Sequence, residues 1–421
     1  MKKTKAVRLY GKNDLRLEEF ELPNIKDDEI LASVVSDSIC MSTYKALHQG
    51  KDHKRIHSDI DINPIIIGHE FSGNILEVGK KWQHLFSKGD QYAIQPALNY
   101  KGSLDAPGYS YPHIGGDATY IIIPNEVMET GCLFKYDGEN YYGASLTEPV
   151  SCVIAAYRAN FHTENNEHAH LMGIKENGSV ALLASAGPMG LAAVDYGIHG
   201  PMRPRLMVVT DIDEDRLQRA ASVITVEEAK RNGVELIYLN TKEIKDPVQY
   251  IKDLNHGEGY DDVFVFAPVS VLIEQADSLL AKDGCLNFFA GPNSPDFSAK
   301  LNFYNVHYSG TRVTGTSGGN TTDMKEALEL FANKSINPAI LVSHIGGLDS
   351  VIEATSNLPK IPGSKKLIYT HKSLPLTALS DFRMLGKTDS FFKDLADICD
   401  KHHGLWSTEA EQYVLKNGKS I

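Results

Sequence analysis

The sequence predicts an α/β protein in which a doubly wound parallel sheet follows a β-rich segment. The first ~150 residues contain short runs rich in Ile and Val, separated by Gly, Pro and Asp, which are typical of a compact barrel or sandwich. From about Tyr157 onward, apolar runs of strand length alternate with helix-like stretches, as in parallel sheets with crossover helices. The apolar stretch 179–198 is interrupted by Gly187-Pro188, which favours a strand, a turn and a helix over a membrane span.

Length and composition limit the classes of function. A chain of 421 residues predicts about two to three domains. The net charge of −12 argues against nucleic acids and anionic membranes as partners. The cysteines are widely spaced, without a C-x-x-C pair, and the N-terminus has no apolar secretion signal. These features predict a reducing, cytoplasmic location. The cysteines are Cys40, Cys132, Cys152, Cys285 and Cys399.

The stretch 179–198 predicts a dinucleotide-binding turn. The strand-like SVALLAS and the helix-like PMGLAAVDYGI flank the sequence S-A-G-P-M-G, which is similar to the G-x-G-x-x-G turn of Rossmann domains. In that turn one glycine lets the backbone approach the pyrophosphate, and another permits close helix packing. An ordinary turn between a strand and a helix is the alternative. The candidate cofactor-binding residues are Ser185, Gly187, Pro188, Met189 and Gly190.

An acidic residue after the next strand supports this interpretation. Asp211 ends the run RLMVVTD, 24 residues after Gly187, where an acid is expected to bind the ribose hydroxyls. A carboxylate there favours NAD over NADP, because it would repel a 2′-phosphate, although Arg216 could soften that preference. The alternative role for Asp211 is a helix N-cap, for which Asp213 competes.

Three short motifs carry candidate metal ligands. They are Ser38-Ile39-Cys40, Gly68-His69-Glu70 and Thr147-Glu148-Pro149. Thiolate, imidazole and carboxylate together suit zinc, and a catalytic zinc needs three protein ligands and one open position. Cys40, His69 and one of the two glutamates would supply the three ligands. The other glutamate could bind the metal in alternation with a water molecule, or it could contact the ligands without binding the metal. Taken singly, each residue also fits an ordinary structural role.

The motifs PIIIGHEFSGNILEVGK, KGDQYAI, LTEPVSCVIAAY and SAGPMG together resemble the zinc-dependent medium-chain dehydrogenase/reductases, over about residues 5–370. Within that family the chain is similar to the polyol dehydrogenase branch. The resemblance implies a GroES-like catalytic domain over residues 1–155 and a Rossmann domain over 156–312. It also implies that 313–421 returns to the catalytic domain and ends in a helical tail. Phe391, Phe392, Leu395 and Ile398 have helical spacing in that tail.

The resemblance also implies the roles of individual residues. Cys40, His69, Glu70 and Glu148 are the positions of a single catalytic zinc, and Ser42 matches the hydroxyl that binds the substrate oxygen. Ser42, Glu70 and Glu148 are therefore the candidate catalytic residues. Ala267 and Thr316 are implied to face a nicotinamide, and the enzyme is implied to be a dimer or tetramer. Three departures from the family pattern are Thr43 in place of an acid, Ser185 in place of glycine, and no cysteine within residues 96–115.

The implied substrate is a sugar phosphate or a polyol, oxidised or reduced with NAD or NADP. A cation-rich segment near the metal motifs could contact a phosphate or could be a solvated loop; it contains Lys45, Lys51, His53, Lys54, Arg55 and His57. The alternatives are an alcohol or polyol dehydrogenase for unphosphorylated substrates, a zinc-free quinone or enoyl reductase, and a non-enzymatic nucleotide-binding protein.

Overall fold

The computed structural model describes residues 2–163, 168–292 and 294–421. The strands are β1 (Lys2–Gly11), β2 (Asp14–Leu22), β3 (Ile30–Ile39), β4 (Ile65–Ile66), β5 (Phe71–Val78), β6 (Gln91–Ile94), β7 (Tyr120–Ile123), β8 (Leu133–Lys135), β9 (Phe161–Thr163), β10 (His170–Met172), β11 (Ser179–Leu183), β12 (Leu206–Asp211), β13 (Glu235–Asn240), β14 (Tyr260–Val265), β15 (Leu280–Phe288), β16 (Arg312–Thr314), β17 (Val342–Gly347), β18 (Lys365–Tyr369) and β19 (Thr377–Ala378).

The helices complete the element order. They are α1 (Met41–Gln49), α2 (Asn125–Glu129), α3 (Tyr141–Ser145), α4 (Thr147–Ala159), α5 (Pro188–His199), α6 (Glu214–Val223), α7 (Val226–Arg231), α8 (Pro247–Asp253), α9 (Ser270–Leu279), α10 (Phe303–Ser309), α11 (Thr321–Ala332), α12 (Val351–Asn357), α13 (Phe382–Leu385), α14 (Ser390–Lys401) and α15 (Thr408–Asn417). Among the described residues, no helix has the length and apolar character needed to cross a membrane.

The chain divides into two compact units, a discontinuous unit (Met1–Glu148 and Pro338–Ile421) and a continuous unit (Pro149–Asn337). These bounds differ from the expected 1–155, 156–312 and 313–421. The first crossing falls earlier because nearly all of α4 belongs to the continuous unit. The second falls later because β16 pairs with β15 in the parallel sheet and α11 follows it before the chain leaves the unit.

The discontinuous unit is β-rich, as predicted. Its larger sheet has the strand order β19-β17-β18-β3-β5-β6-β8, with β7 also paired to β3, and a smaller sheet has the order β2-β1-β4. Strand β3 is almost wholly buried, as expected for a central strand rich in Val and Ile. It pairs antiparallel with β18, β5 and β7, and it ends one residue before Cys40. The middle of this sheet therefore fixes the backbone at the first candidate metal ligand.

The continuous unit contains the predicted doubly wound sheet. Its six strands are all parallel, in the order β13-β12-β11-β14-β15-β16. Strand β11 is fully buried and pairs with both β12 and β14, so the strand order reverses there. In such sheets ligands bind beyond the carboxyl ends of the strands at the point of reversal. The predicted fold class, a Rossmann domain with a β-rich GroES-like domain, is confirmed.

The C-terminal tail forms α13, α14 and α15 within the discontinuous unit. Phe392, Leu395 and Ile398 are buried, as their helical spacing predicts, whereas Phe391 is partly exposed. The Trp406 indole N–H donates to the Tyr369 hydroxyl at 2.8 Å, which ties the tail to β18. The tail is thus a packed part of its unit rather than an appendage.

Candidate active site

The Cys40 motif lies where the central strand of the discontinuous unit meets a helix. Cys40 follows β3 directly and is the N-cap residue of α1, with an extended backbone. The turn of helix that follows brings Ser42 back beside it. The Ser42 hydroxyl donates to Cys40 Sγ at 3.0 Å and lies 3.2 Å from His69 Nε2. The sequence prediction that Ser42 accompanies the metal ligands therefore agrees with its position.

His69 and Glu70 lie in the tight passage between β4 and β5. Gly68 has a φ of +89°, and a Cβ atom on it would lie 2.8 Å from the backbone nitrogen of Asp117. Only glycine tolerates both the conformation and the close approach. The passage turns both side chains inward, and His69 and Glu70 are 5% and 1% exposed, respectively.

Cys40, His69 and Glu70 form a group whose potential ligand atoms all lie within 4.8 Å of one another. Burial lowers the pKa of His69 to about 4, so the imidazole is neutral at pH 7 and can bind a metal. Its Nδ1 lies 3.0 Å from the Tyr109 hydroxyl, an interaction that orients the ring, and its Nε2 lies 3.2 Å from the Ser42 hydroxyl and 3.4 Å from the same tyrosine oxygen. Burial, and then the Glu70 charge, raise the pKa of the Cys40 thiol to about 12, so a thiolate there needs a cation. The donor set fits zinc.

Glu70 forms a buried ion pair with Lys365, a residue that the sequence analysis did not single out. The Lys365 ammonium lies 2.5 and 2.6 Å from the two carboxylate oxygens. Burial alone would raise the pKa of Glu70, but Lys365 and His69 hold it below its ordinary value. Lys365 belongs to β18, which pairs with β3. The available sequence signal was a lysine inside an apolar strand, which implies a buried acidic partner.

Glu148 lies at the N-terminal end of α4 and is half-buried. It is outside the Cys40–His69–Glu70 group, although its charge acts on Cys40, Tyr109 and Lys365. Both glutamates therefore contribute to the electrostatics around Cys40. Glu70 is the one whose carboxylate is within ligand distance of the other two residues.

The predicted dinucleotide turn connects β11 to α5. Gly187 is the N-cap of α5, and a Cβ atom on it would meet nothing within 4 Å, so the backbone there is open to a ligand. Pro188 and Met189 form the first turn of α5. A Cβ atom on Gly190 would lie only 1.8 Å from the Ser185 carbonyl oxygen, so the helix packs against the turn through this glycine.

Serine is compatible with position 185 because the left-handed residue is its neighbour. Ala184 has a φ of +54°, and the Ser185 backbone does not share that conformation. The Ser185 hydroxyl donates to the Leu182 carbonyl at 2.8 Å, and its N–H donates to the Thr210 carbonyl at 2.9 Å. A serine at position 185 therefore needs no left-handed backbone, and its hydroxyl adds a hydrogen bond between the turn and β11.

Asp211 lies at the end of β12, beside the turn. Its carboxylate accepts the Ala186 N–H at 3.1 Å and the Ile212 N–H at 2.8 Å. Asp213, rather than Asp211, caps α6 by accepting the Arg216 N–H. The Arg216 guanidinium lies 3.4 Å from the Asp213 carboxylate and is half exposed. Asp211 therefore links the turn to β12 and is not the helix cap.

Ala267 and Thr316 occupy corresponding positions further along the sheet. Ala267 lies two residues beyond β14 and Thr316 two residues beyond β16. Because all six strands are parallel, these residues lie at the same edge of the sheet as the turn and Asp211. That edge collects every cofactor-binding residue predicted from the sequence, whereas the predicted metal ligands lie in the discontinuous unit.

Comparisons with known proteins identify the family. Residues 26–130 match the alcohol dehydrogenase GroES-like domain, and residues 188–333 match the zinc-binding dehydrogenase domain. The chain is 51% identical to mannitol-1-phosphate 5-dehydrogenase from Aliivibrio fischeri, over 99% of this chain and 98% of that one. It is 48% identical to L-sorbose 1-phosphate reductase from Klebsiella pneumoniae, over 100% and 99% of the two chains.

A solved structure supports the same fold. The 2R,3R-butanediol dehydrogenase from Bacillus subtilis is 21% identical and superimposes with a TM-score of 0.70, covering 87% of this chain and 99% of that one. The match to a zinc-binding dehydrogenase domain agrees with the donor set of Cys40, His69 and Glu70, which fits zinc. From the two domain matches and the full-length relatives, the chain belongs to the zinc-dependent medium-chain dehydrogenases of the polyol branch, and it is an alcohol or polyol dehydrogenase.

Proposed function

We propose that this enzyme transfers a hydride between a nicotinamide cofactor and a hexitol phosphate, with L-sorbose 1-phosphate and D-glucitol 6-phosphate as the ketone and the alcohol. The observation that carries the proposal is the Ser42 hydroxyl, which lies within 3.2 Å of both Cys40 Sγ and His69 Nε2. A hydroxyl in that position suits a substrate oxygen that gains or loses a proton. The names of two full-length relatives near 50% identity support the phosphorylated substrate.

The reaction balances as a hydride and a proton added to a ketone. A reduced nicotinamide held at the turn around Gly187 would supply the hydride for the carbonyl carbon and would itself be oxidised, while the carbonyl oxygen would take up the proton. Cys40, His69 and a carboxylate of Glu70 or Glu148 would hold zinc, which would supply Lewis-acid polarisation of that oxygen when bound. The Ser42 hydroxyl, beside Cys40 and His69, would donate the proton, and Tyr109 keeps the His69 ring oriented.

NAD is the cofactor that we propose, rather than NADP. Asp211 presents a carboxylate at the end of β12, which suits ribose hydroxyls and repels a 2′-phosphate. The nearest predicted counter-charge, Arg216, already faces the Asp213 carboxylate. An assay with NADH and NADPH in parallel tests this proposal.

The function is tested by metal analysis and turnover together. Purified enzyme is expected to contain one zinc per chain and to oxidise NADH with L-sorbose 1-phosphate, and chelation should remove both zinc and activity. The Ser42→Ala enzyme should retain zinc but lose about 100-fold or more in kcat, because proton transfer loses its donor. The exposed Ser58 provides a matched control, since Ser58→Ala should change neither.

Other outcomes would contradict the proposal in different ways. Full activity without zinc would favour the zinc-free quinone or enoyl reductase reaction. Equal kcat/KM values for L-sorbose and L-sorbose 1-phosphate would favour the alternative of an unphosphorylated polyol substrate. Ser42→Ala activity equal to that of the wild type would remove the proton-donor role.

The proposal includes the expected surroundings of the enzyme. We expect a homo-oligomer, dimer or tetramer, in the cytoplasm, with a small-molecule sugar phosphate as its partner. The five cysteines are thiols in the structure, which suits a reducing compartment.

A further inference from the structure

One face of the metal centre is connected to the cation-rich segment by a single aromatic side chain. The Tyr109 hydroxyl lies 3.0 Å from His69 Nδ1, and the ring of the same tyrosine stacks on His53 with a centroid distance of 5.4 Å and an interplanar angle of 7°. The Arg55 guanidinium carbon lies 5.8 Å from the Tyr109 ring centroid. One tyrosine therefore separates a metal ligand from an arginine.

The backbone holds this arrangement together. A Cβ atom on Gly108 would lie 2.1 Å from the Gly68 carbonyl oxygen, so the loop that carries Tyr109 packs directly against the passage to His69. The Ser110 hydroxyl donates to the Arg55 carbonyl at 2.7 Å, and Arg55 Nη1 donates to the Leu104 carbonyl at 3.3 Å. The cation is thus fixed relative to the metal ligands by contacts at both ends of the loop.

A second cation acts at the same place. Burial, together with the charges of Arg55, Lys54 and Lys45, lowers the pKa of His53 to about 4, so the imidazole between these cations is neutral. Lys45 lies on α1, one turn beyond Ser42, and is partly buried. His53 Nδ1 accepts the Arg55 N–H at 3.3 Å, which leaves its other ring nitrogen as a hydrogen-bond donor.

The charged groups near Arg55 differ in their partners and in their exposure. The Asp105 carboxylate contacts His57, whose Nε2 lies 2.7 Å away. Lys51 and Lys54 are exposed, whereas Arg55 and His53 are only partly exposed. Partly desolvated cations bind phosphate more strongly than fully hydrated ones. Because Arg55 and Lys45 are partly buried whereas Lys51 and Lys54 are exposed, Arg55 and Lys45 are the better candidates for binding a phosphate.

We propose that Arg55 and Lys45 bind the phosphate group of the substrate, against the wall formed by Tyr109 and His53. The inference rests on the proposed function and deepens it, because it names the residues that distinguish a sugar phosphate from a free sugar. Arginine offers five N–H donors in a planar fork that matches phosphate oxygens, and one of them is donated to Leu104 among the described residues. A neutral His53 offers one further N–H donor to the phosphate and adds no positive charge that would repel Arg55 and Lys45.

The test is the ratio of kcat/KM for L-sorbose 1-phosphate to kcat/KM for L-sorbose, measured on the zinc-loaded enzyme. Arg55→Met should lower this ratio roughly 10- to 100-fold, the effect of losing hydrogen bonds to a charged group. Arg55→Lys should lower it less, because the charge remains while the fork is lost. Lys45→Met should also lower the ratio, and it tests the subsite independently if Arg55→Met unfolds. Inorganic phosphate, as a competitive inhibitor of the phosphorylated substrate, should bind more weakly to Arg55→Met.

Lys54→Met is the matched control, because it removes the same charge from the adjacent exposed position. It should keep the wild-type ratio and the wild-type inhibition by phosphate. An equal fall for Lys54→Met and Arg55→Met would overturn the proposal in favour of a general field effect. So would an unchanged ratio in both folded Arg55→Met and folded Lys45→Met. A wild-type enzyme that does not prefer the phosphorylated substrate would instead overturn the proposed function, so the two failures are distinguishable.

Discussion

The two glycines of the dinucleotide turn have different roles, one in helix packing and one in the approach of the cofactor. Gly190 is required by packing, because an added Cβ would lie 1.8 Å from the Ser185 oxygen, whereas Gly187 faces open space. We expect Gly190→Ala to destabilise the enzyme by about 2 kcal/mol, since the overpacking cost outweighs the gain in helix propensity. We expect Gly187→Ala to leave stability unchanged but to weaken NADH binding about tenfold, because a methyl group obstructs the approach of the pyrophosphate.

Thermal unfolding without cofactor and fluorescence titration with NADH measure the two effects, and each variant is the control for the other. An unchanged melting temperature for Gly190→Ala would show that the turn can relax. Wild-type NADH affinity for Gly187→Ala would show that this position does not face the dinucleotide.

At the scale of single residues, the sequence predicted the candidate metal ligands better than the residues that contact and orient them. Cys40, His69 and Glu70 belong to short local motifs, and the structure brings them together. Lys365 was not predicted, because its partner Glu70 lies 295 residues away in the chain and only the pairing of β18 with β3 brings them into contact. Tyr109 was not predicted for a similar reason, since its loop carries no local signature of a contact with His69.

Among the elements, the tail helix α15 supports the start of the short helix α3. Glu411 is 1% exposed, and its carboxylate accepts the N–H groups of Tyr141 and Tyr142 at 2.6 and 2.9 Å. It also accepts the Tyr369 hydroxyl at 3.1 Å. These contacts satisfy N–H groups that the first turn of a helix leaves without partners. We expect Glu411→Ala to lower the free energy of unfolding by about 2 kcal/mol at neutral pH, because buried donors lose their acceptor.

The pH dependence of this effect follows from the burial of Glu411, which raises its pKa to about 7. The unfolded chain releases this proton near its ordinary pKa of about 4.3, so between those values the folded state binds more protons. Stability that Glu411 contributes is therefore full below about pH 4 and declines as the pH rises to about 7. Urea denaturation at pH 5 and pH 8 should show a larger difference between wild type and Glu411→Ala at pH 5.

The exposed Glu409, two residues earlier in the same helix, is the control. It pairs with Lys401 and His402 on the surface, and Glu409→Ala should leave the free energy of unfolding almost unchanged. A difference for Glu411→Ala that grows with pH would mean that the carboxylate is bound mainly in its charged form.

Elements with a strong apolar pattern were predictable, and polar ones were not. The runs AVRLY, LASVVS, QYAIQP and TYIIIP correspond to β1, β3, β6 and β7. Strand β2 was not predicted, because DLRLEEFEL is half polar and lies at a sheet edge where solvent covers one side. The segment 161–175 has a polar composition more typical of a loop, yet in its described part it contains β9 and β10, which form a separate two-stranded sheet.

For the whole molecule, we expect the exposed aromatic side chains of α10 to take part in the interface of the proposed homo-oligomer. Phe303, Tyr304 and Tyr308 are 73%, 67% and 65% exposed, and β16, the strand that follows, is an edge of the parallel sheet. We expect light scattering to give the mass of a dimer or tetramer, and we expect Tyr304→Arg to shift it towards the monomer, because burial of the new charge is costly.

Tyr250→Arg is the control for that experiment, since Tyr250 is also exposed, at 47%, but lies on α8. It should leave the mass unchanged. A monomeric wild-type enzyme, or a Tyr304→Arg enzyme with the wild-type mass, would contradict the interface.

The two-part organisation was predictable from the change in sequence pattern, but its boundaries were not. Helix α4 continues across the first boundary without a break in its pattern, so no local signal marks Glu148 as the last residue of its unit. The second boundary depends on β16 pairing with β15, and three residues are too few to show a strand pattern.

The interruption of one unit by the other has a consequence for synthesis on the ribosome. The continuous unit comes from one stretch of chain and can close its parallel sheet as soon as that stretch has emerged. The larger sheet of the discontinuous unit cannot close until β18 arrives to lie beside β3. At a synthesis rate of roughly 5–20 residues per second, Lys365 is made on the order of tens of seconds after Cys40 and Glu70. The burial of these early-made groups therefore depends on a residue that is made 295 positions after Glu70.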